Sequence, residues 1–515
     1  MPRSKESRLP VWWFITGNEE ELYELWKSQL PLWVEEAAIN VRIVELALYW
    51  ENIPWKSIEE HVYKLQSRIV KALKDLKLHL VKRLQHLLAN SFFAKLLAVR
   101  KVTTNKGKNT PGVDGVKWST PRQMMKAALS LTGKKYKAKP LKRVFIEKKG
   151  KKAKRPLGIP TMYDRAMQAL YAFTLDPIAE TKGDRVSLGF RKYRSAKDAS
   201  QFAFNTLSRK TSAKWILEGD IKGCFDNISH EWIMKHIPIN KKILKQFLKA
   251  GFIYKKKLFP TKAGTPQGGI ISPVIANMVL DGMEKIIQEK YWKSPRGYIG
   301  VQYNKNKVNL IRYADDFIVT AEKKEIAEEV KELISKFLAT RGLELSEEKT
   351  EITHIDRGFD FLGWNFRKYR GKLLVKASNK SIKRINQKLR ETIRKGIMIK
   401  QSELIHTLNP IIRGWCNYHN HVVSNKVFKD LDKVIICSIL KWARRRHKNK
   451  PMKWIKKRYW RQIENRDWIF TTGKEWLIFA SDTKIRRHNL VRLTANPYIN
   501  EDREYLKKRK KTRCA

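Results

Sequence analysis

Leu310-Ile311-Arg312-Tyr313-Ala314-Asp315-Asp316-Phe317-Ile318-Val319-Thr320 sets two adjacent carboxylates between two short apolar runs. Each run has the length and content of a strand, so the segment predicts a β-hairpin with Asp315 and Asp316 at its turn. Ionised carboxylates in apolar surroundings must be paired, bound to a cation or neutralised. Mg²⁺ is the natural partner, because it is a hard ion that prefers carboxylate oxygen. Upstream, Trp215-Ile216-Leu217-Glu218-Gly219-Asp220-Ile221 is a second apolar stretch that ends in an acid. A lone Asp-Asp pair would read as an ordinary turn, where Asp is common. Together with Asp220, the pair has the composition of a two-metal site for nucleotidyl transfer.

The charge of the chain points to a polyanion. Its 515 residues hold 108 Lys and Arg against 50 Asp and Glu, a formal net charge of +58. Such an excess needs a polyanionic partner to offset self-repulsion. Basic residues run from Lys64 to Arg513 instead of forming one tail, which predicts an extended nucleic-acid surface. No basic amphipathic helix dominates, which argues against a membrane surface as the partner. No stretch of about 18 apolar residues is present, so no transmembrane helix is expected. The start, Met1-Pro2-Arg3-Ser4-Lys5-Glu6, lacks the apolar core of a signal peptide. Cys224, Cys416, Cys437 and Cys514 are too scattered for a disulfide framework, so a reducing, intracellular compartment is expected. Cys416, His419 and His421 lack the paired Cys of a structural zinc site. Abundant Lys, Ile and Asn fit an AT-rich bacterial or organellar genome.

Two further segments complete an ordered set. Gly264-Thr265-Pro266-Gln267-Gly268-Gly269-Ile270-Ile271-Ser272-Pro273 lies between the acidic sites, and Arg155-Pro156-Leu157-Gly158-Ile159-Pro160-Thr161 precedes both. The set resembles the reverse transcriptases encoded by mobile group II introns, over most of the chain from about Leu84 onward. The resemblance implies an α+β right-hand polymerase, with fingers and palm built from antiparallel sheet and packed helices. An α-helical thumb, called domain X in maturases, and a small basic C-terminal module follow. The expected domains are a 1–60 extension with no functional reading, a 61–140 N-terminal extension, fingers and palm over 141–369, the thumb over 370–450 and a DNA-binding module over 451–515. The loop Asn109-Thr110-Pro111-Gly112-Val113-Asp114-Gly115 is expected to cover the template. Relatives often add an HNH nuclease, whose Cys pairs and His-Asn-His array are not found before Cys514-Ala515, so the expectation is either a lineage without the nuclease or a truncated reading frame.

The resemblance also assigns roles. Asp220, the carbonyl of Ile221, Asp315 and Asp316 would hold two Mg²⁺ ions. Lys349 would protonate the leaving pyrophosphate. Lys148 and Arg155, on a charged hairpin, would meet the triphosphate of a dNTP, although the family's usual Pro before this Lys is here Glu147. Gln267 would contact the incoming nucleotide. Phe225 would block a ribonucleotide 2′-OH, although core packing is the commoner role for Phe. Phe361-Leu362-Gly363-Trp364 matches the primer-grip turn. Arg413, Trp415, Tyr418, Arg444 and Arg445 interleave basic and aromatic groups, which suits RNA backbone contact and base stacking; some of these aromatics are expected in a helical core. The implied partners are group II intron RNA, an RNA template with a DNA primer, target DNA and dNTPs. The implied function is an RNA-directed DNA polymerase that also assists intron splicing. A splicing-only maturase, or a free-standing or defence-associated reverse transcriptase, is the alternative.

Local patterns add expectations. Residues 58–102 read as helical, with Leu65, Ile69, Leu73 and Leu76, then Leu84, Leu87 and Leu88, on one stripe. Asp164 is expected to cap a helix, and Asp198–Leu207 to form another. Lys323–Thr340 carries an apolar stripe that Gly342 ends, with a strand expected near Leu343-Glu344-Leu345. Ile382–Ile399 and Leu404–Val423 read as helices with basic faces.

Overall fold

The computed structural model describes residues 46–147 and 154–514. The chain is mixed α+β and divides into two compact units. One takes in residues up to Gly183, then Gly223–Leu280 and the segment from Asn496 onward. The other comprises Asp184–Lys222 and Asp281–Ala495. The strands run in the order β1 (Leu141–Glu147), β2 (Lys154–Ile159), β3 (Trp215–Asp220), β4 (Phe252–Tyr254), β5 (Lys257–Phe259), β6 (Asn309–Tyr313) and β7 (Asp316–Ala321). They continue with β8 (Glu351–His354), β9 (Phe359–Phe361), β10 (Trp364–Tyr369), β11 (Lys372–Ala377), β12 (Trp460–Ile463) and β13 (Arg466–Phe470).

In the first unit, helices Trp55–Lys74, Leu78–Asn90 and Phe92–Thr104 realise the expected helical stretch. Leu65, Ile69, Leu73, Leu84 and Leu88 are buried as the spacing predicts. Leu76 and Leu87 are exposed; Leu76 falls after the first helix has ended, at φ +56°, so helical periodicity no longer applies to it. Helix Met162–Lys182 is buried along most of its length. Its cap is Thr161, which accepts from the Asp164 N–H, and not Asp164 itself. Asp164 stands three residues in, where its carboxylate accepts from the Thr161 and Tyr136 hydroxyls. The sheet has the order β2-β1-β4-β5. Its β1–β4 pair is parallel, which the long connection between them permits.

The chain's last described helix, Asn500–Cys514, also belongs to the first unit. Arg503 makes a two-pronged bond to Glu60 and lies over the Tyr63 ring. Tyr63 donates to Asn500, and Ser67 to the Tyr498 carbonyl. The order Glu60, Tyr63, Ser67 against Arg503, Asn500, Tyr498 makes the two segments antiparallel.

The second unit is built on the antiparallel sheet β6-β7-β3-β8. Helix Lys324–Ala339 packs on it through Ala327, Val330, Ile334 and Leu338. The strand expected at Leu343–Leu345 is reduced to one bridge, between Leu345 and Ile221. Sheet β11-β10-β9 follows. Helices Asn379–Lys395, Gln401–His419 and Asn425–Arg446 then share a core that includes Leu389, Leu408, Phe428 and Trp442. Hairpin β12–β13 joins this core through Trp460 and Phe470. No helix among the described residues is long and apolar enough to cross a membrane.

Candidate catalytic site and nucleic-acid interface

The acidic residues of the second unit meet because of strand register. β3 runs antiparallel to β7, and the pairing places Asp220 opposite Asp316. β6 and β7 form the expected hairpin, with Tyr313 opposite Asp316 and Ala314-Asp315 as its two-residue loop. Ala314 sits at φ +60°, a left-handed conformation that costs any side chain energy and survives where surroundings impose it. The imposing neighbour is a segment that runs beside β6. Leu188 N–H donates to the Arg312 carbonyl, and Arg312 N–H to the Val186 carbonyl. Gly189 then passes so close that a Cβ there would lie 2.3 Å from the Ala314 nitrogen. β6 itself is anchored by the fully buried Arg312, which pairs with Asp281 at 2.6 Å.

A third chain segment supplies the cation. Ser346 N–H donates to the Asp220 carbonyl at 2.8 Å, and Lys222 N–H to the Glu344 carbonyl at 3.0 Å. These bonds fix the short turn Glu347–Lys349, and the Lys349 ammonium pairs with the Asp220 carboxylate. They flank the Ile221–Leu345 bridge without using the Ile221 carbonyl. Burial, then the charges of Asp315 and Asp220, push the Asp316 carboxyl up to about 6, and Lys349 opposes the rise. Asp316 still reaches solvent, so crowding of like charge is the cause that matters chemically. Among the described residues, no set of three His, Cys, Asp or Glu side chains closes on one point as metal ligands. Lys349 offsets part of the charge here; the hard oxygen donors of the carboxylates and their mutual repulsion fit a divalent cation.

The residues expected around a nucleotide lie in the first unit, with the exception of Lys148, which is outside the described residues. Arg155 is exposed near the start of β2. Two backbone bonds draw the Gly-rich loop to its neighbours. Thr265 N–H donates to the Phe225 carbonyl at 2.6 Å, and Gly158 N–H to the Gln267 carbonyl at 2.8 Å. Gly264, at φ +83°, leaves no room for a Cβ, which would meet the Phe225 and Asp226 carbonyls at 2.5 Å. Phe225 is only half-buried. The Gln267 side-chain oxygen is buried and has no hydrogen-bond partner among the described residues.

The residues expected on RNA fall on two helices of the second unit. Arg413, Arg444 and Arg445 are exposed. Trp415 is half-buried and donates to the Ser381 hydroxyl. Tyr418 packs its ring on Trp364. Burial holds His419 down to about 4 and His421 to about 3, so both are neutral at physiological pH.

Sequence reasoning missed three features. Gly189 and Ser346 shape the acidic site but belong to segments with no chemical signature. The third is Glu218, two residues before Asp220 on the same face of β3. It lines an open cavity of about 510 Å³ with Glu351, Thr353, Asp360, Asn365 and Lys380. Burial, then Glu351 and Asp360, push its carboxyl up to about 7.

Three families match this chain. Residues 146–366 match the reverse transcriptase (RNA-dependent DNA polymerase) family. Residues 50–131 match the N-terminal domain of reverse transcriptase, and residues 382–460 the group II intron maturase-specific domain. The group II intron-encoded protein LtrA of Lactococcus lactis subsp. cremoris is 30% identical over 410 residues, covering 63% of this chain and 68% of that protein. Protein YkfC of Escherichia coli is 32% identical over 305 residues, 52% of this chain and 78% of that protein. The putative COX1/OXI3 intron 1 protein of Saccharomyces cerevisiae is 27% identical over 321 residues, 52% of this chain and 38% of that protein. With its paired acidic strands and these matched segments, the chain belongs to the group II intron-encoded reverse transcriptases that carry a maturase domain.

Proposed function

We propose that this protein copies group II intron RNA into DNA at Asp220, Asp315 and Asp316, and that its helical region holds the intron RNA for splicing. The observation that carries the reading is the register pairing of Asp220 with Asp316, beside the Asp315 loop. The three carboxylates, with the Ile221 carbonyl, would hold two divalent ions, Mg²⁺ by the hardness of the donors. Such ions, when bound, lower the pKa of an attacking 3′-OH and stabilise a leaving pyrophosphate. The chain's own groups position the rest, as phosphoryl transfer demands. The Lys349 ammonium, already on Asp220, is suited to give a proton to the leaving group. Arg155 presents a planar fork for phosphate oxygens, and Lys148 would add a point charge. The orphaned Gln267 oxygen would gain a donor from a bound nucleotide. Phe225, half-buried, has ring surface to set against a sugar.

In this reading, the sheet β6-β7-β3-β8 is the palm and residues 370–450 are the thumb. Arg413, Trp415, Arg444 and Arg445 supply RNA contacts, and residues 451–515 contact target DNA. The protein acts inside the cell, where intron transcripts are made. The test separates chemistry from binding. Asp315→Ala should abolish cDNA synthesis on a primed RNA template and still support splicing of the intron. Equal loss of splicing would overturn the division of labour.

A further inference from the structure

Tyr418, on the last turn of helix Gln401–His419, holds a backbone turn in place. Its hydroxyl donates to the Leu362 carbonyl at 2.8 Å. Its ring lies flat on Trp364, with centroids 4.5 Å apart and planes 7° apart. Leu362 and Gly363 are the two-residue loop between β9 and β10, where Phe361 pairs with Trp364. Both loop residues lie at positive φ, +50° for Leu362 and +86° for Gly363. Gly adopts this conformation freely, whereas a Leu is strained in it. Such strain persists when neighbours over-determine the backbone. The second loop carbonyl, of Gly363, accepts from the Ser378 N–H at 3.0 Å. Tyr418 and Ser378 therefore hold both carbonyls of the loop against the protein. A Cβ on Gly363 would meet only the Tyr418 ring, at 4.0 Å, so the loop backbone is open to close approach. Burial disfavours ionisation of Tyr418, and so, to a smaller degree, does the nearby Tyr313 phenol, which opens the Asp315–Asp316 hairpin.

We propose that Tyr418 is a positioning residue for the primer strand. It fixes the Leu362–Gly363 turn with its amide edge available to a primer phosphate. Backbone N–H groups serve phosphates well, because they position a strand without reading its sequence. The proposal rests on the polymerase reading of the Phe361–Trp364 turn. It gives Tyr418 an indirect role, since its hydroxyl is committed to the Leu362 carbonyl and one ring face to Trp364.

The test is steady-state primer extension with Tyr418→Phe, which removes the bond and keeps the stack. The KM for primer–template should rise about fivefold, the effect of one lost hydrogen bond. The kcat at saturating primer, the KM for dNTP and the affinity for intron RNA should stay within about twofold. Hydrogen exchange at Gly363 should quicken. Tyr418→Leu, which also removes the stack, should raise the primer KM further; Tyr418→Phe carries the test if that variant folds poorly. Unchanged primer KM in a wild-type-active background would overturn the proposal alone. Weakened intron RNA binding with unchanged primer KM would return Tyr418 to direct RNA contact. A wild-type protein that extends no primer would sink the polymerase reading and the proposal with it.

Discussion

Asp220 and Asp316 stand opposite each other on antiparallel strands, so the register itself sets their carboxyl groups at one end of the sheet. Burial, then the charges of Asp315 and Asp220, push the Asp316 carboxyl up to about 6. A divalent cation would offset that crowding of charge. Asp316→Asn keeps the shape but removes a charge from the site. Primer extension should fall about a thousandfold, in the range seen when a group that stabilises the reacting charge is lost. Intron RNA affinity should not change, because the basic helices are untouched. Extension near wild-type rate in Asp316→Asn would remove this residue from the site.

Gly189 gives a sharper test of how the site is held. Its missing side chain lets the backbone touch the Ala314 turn, and a Cβ would lie 2.3 Å from the Ala314 nitrogen. Gly189→Ala should therefore displace the loop that carries Asp315. A misplacement of about 1 Å at a reacting centre costs about a hundredfold in rate. The expected result is that loss in kcat, with a lowered melting temperature and RNA affinity little changed. A fully active Gly189→Ala protein would show that the loop tolerates the shift.

Phe225 can be tested through substrate choice. Phe225→Ala should loosen discrimination against ribonucleotides by about a hundredfold, the scale on which a pocket rejects an added hydroxyl. Single-nucleotide incorporation of dNTP and rNTP measures the ratio. Unchanged discrimination with lowered stability would assign the ring to packing.

The acidic hairpin and the main helices are legible in the sequence because their signals are local. Asp315-Asp316 between apolar runs names a hairpin, and the stripe Val330, Ile334, Leu338 names a helix face. The convergence of Asp220 with Asp316 is legible only through the motif order, since no spacing in the sequence encodes which strands pair. Gly189, Ser346 and Tyr418 show what stays hidden. Each acts through a backbone contact with a distant segment, and a backbone partner leaves no mark in residue type. Asp164 shows the reverse error. Its type suits a cap, yet Thr161 takes that place, and Asp164 serves as an acceptor inside the first turn. The docking of the Asn500–Cys514 segment on Glu60, Tyr63 and Ser67 in the N-terminal unit is likewise unmarked in the sequence, because it joins segments more than 400 residues apart.

The two arginines at the end of helix Asn425–Arg446 test the RNA surface. Arg444 and Arg445 are exposed, so reversing their charge should not disturb the core that contains Trp442. Arg444→Glu with Arg445→Glu should weaken intron RNA binding and flatten its salt dependence. The log–log slope should fall by about 0.7–0.9 for each phosphate that is no longer neutralised. Extension of a short primed template at saturating concentration should persist. Unaltered RNA affinity across a salt series would place the intron-binding surface elsewhere.

Glu218 makes a prediction with a definite sign in pH. Its carboxyl titrates near 7 in the fold, against the ordinary 4.5, because burial and the charges of Glu351 and Asp360 disfavour ionisation. The folded state thus holds a proton that the unfolded chain releases. By linkage, this residue's contribution is most favourable below about pH 4.5, declines as pH rises through 7 and is flat above that. A tenfold change in acidity corresponds to about 1.4 kcal/mol. The open cavity admits solvent, so screening reduces the total to roughly 1–2 kcal/mol. Glu218→Gln removes the charge and keeps the shape. It should be more stable than wild type at pH 8 by about that amount and nearly equal to it at pH 5, where both side chains are largely neutral in the fold. Urea denaturation at the two pH values measures the difference. A variant less stable than wild type at pH 8 would mean that the ionised Glu218 is held by a favourable partner, which would refute the burial account of its raised pKa.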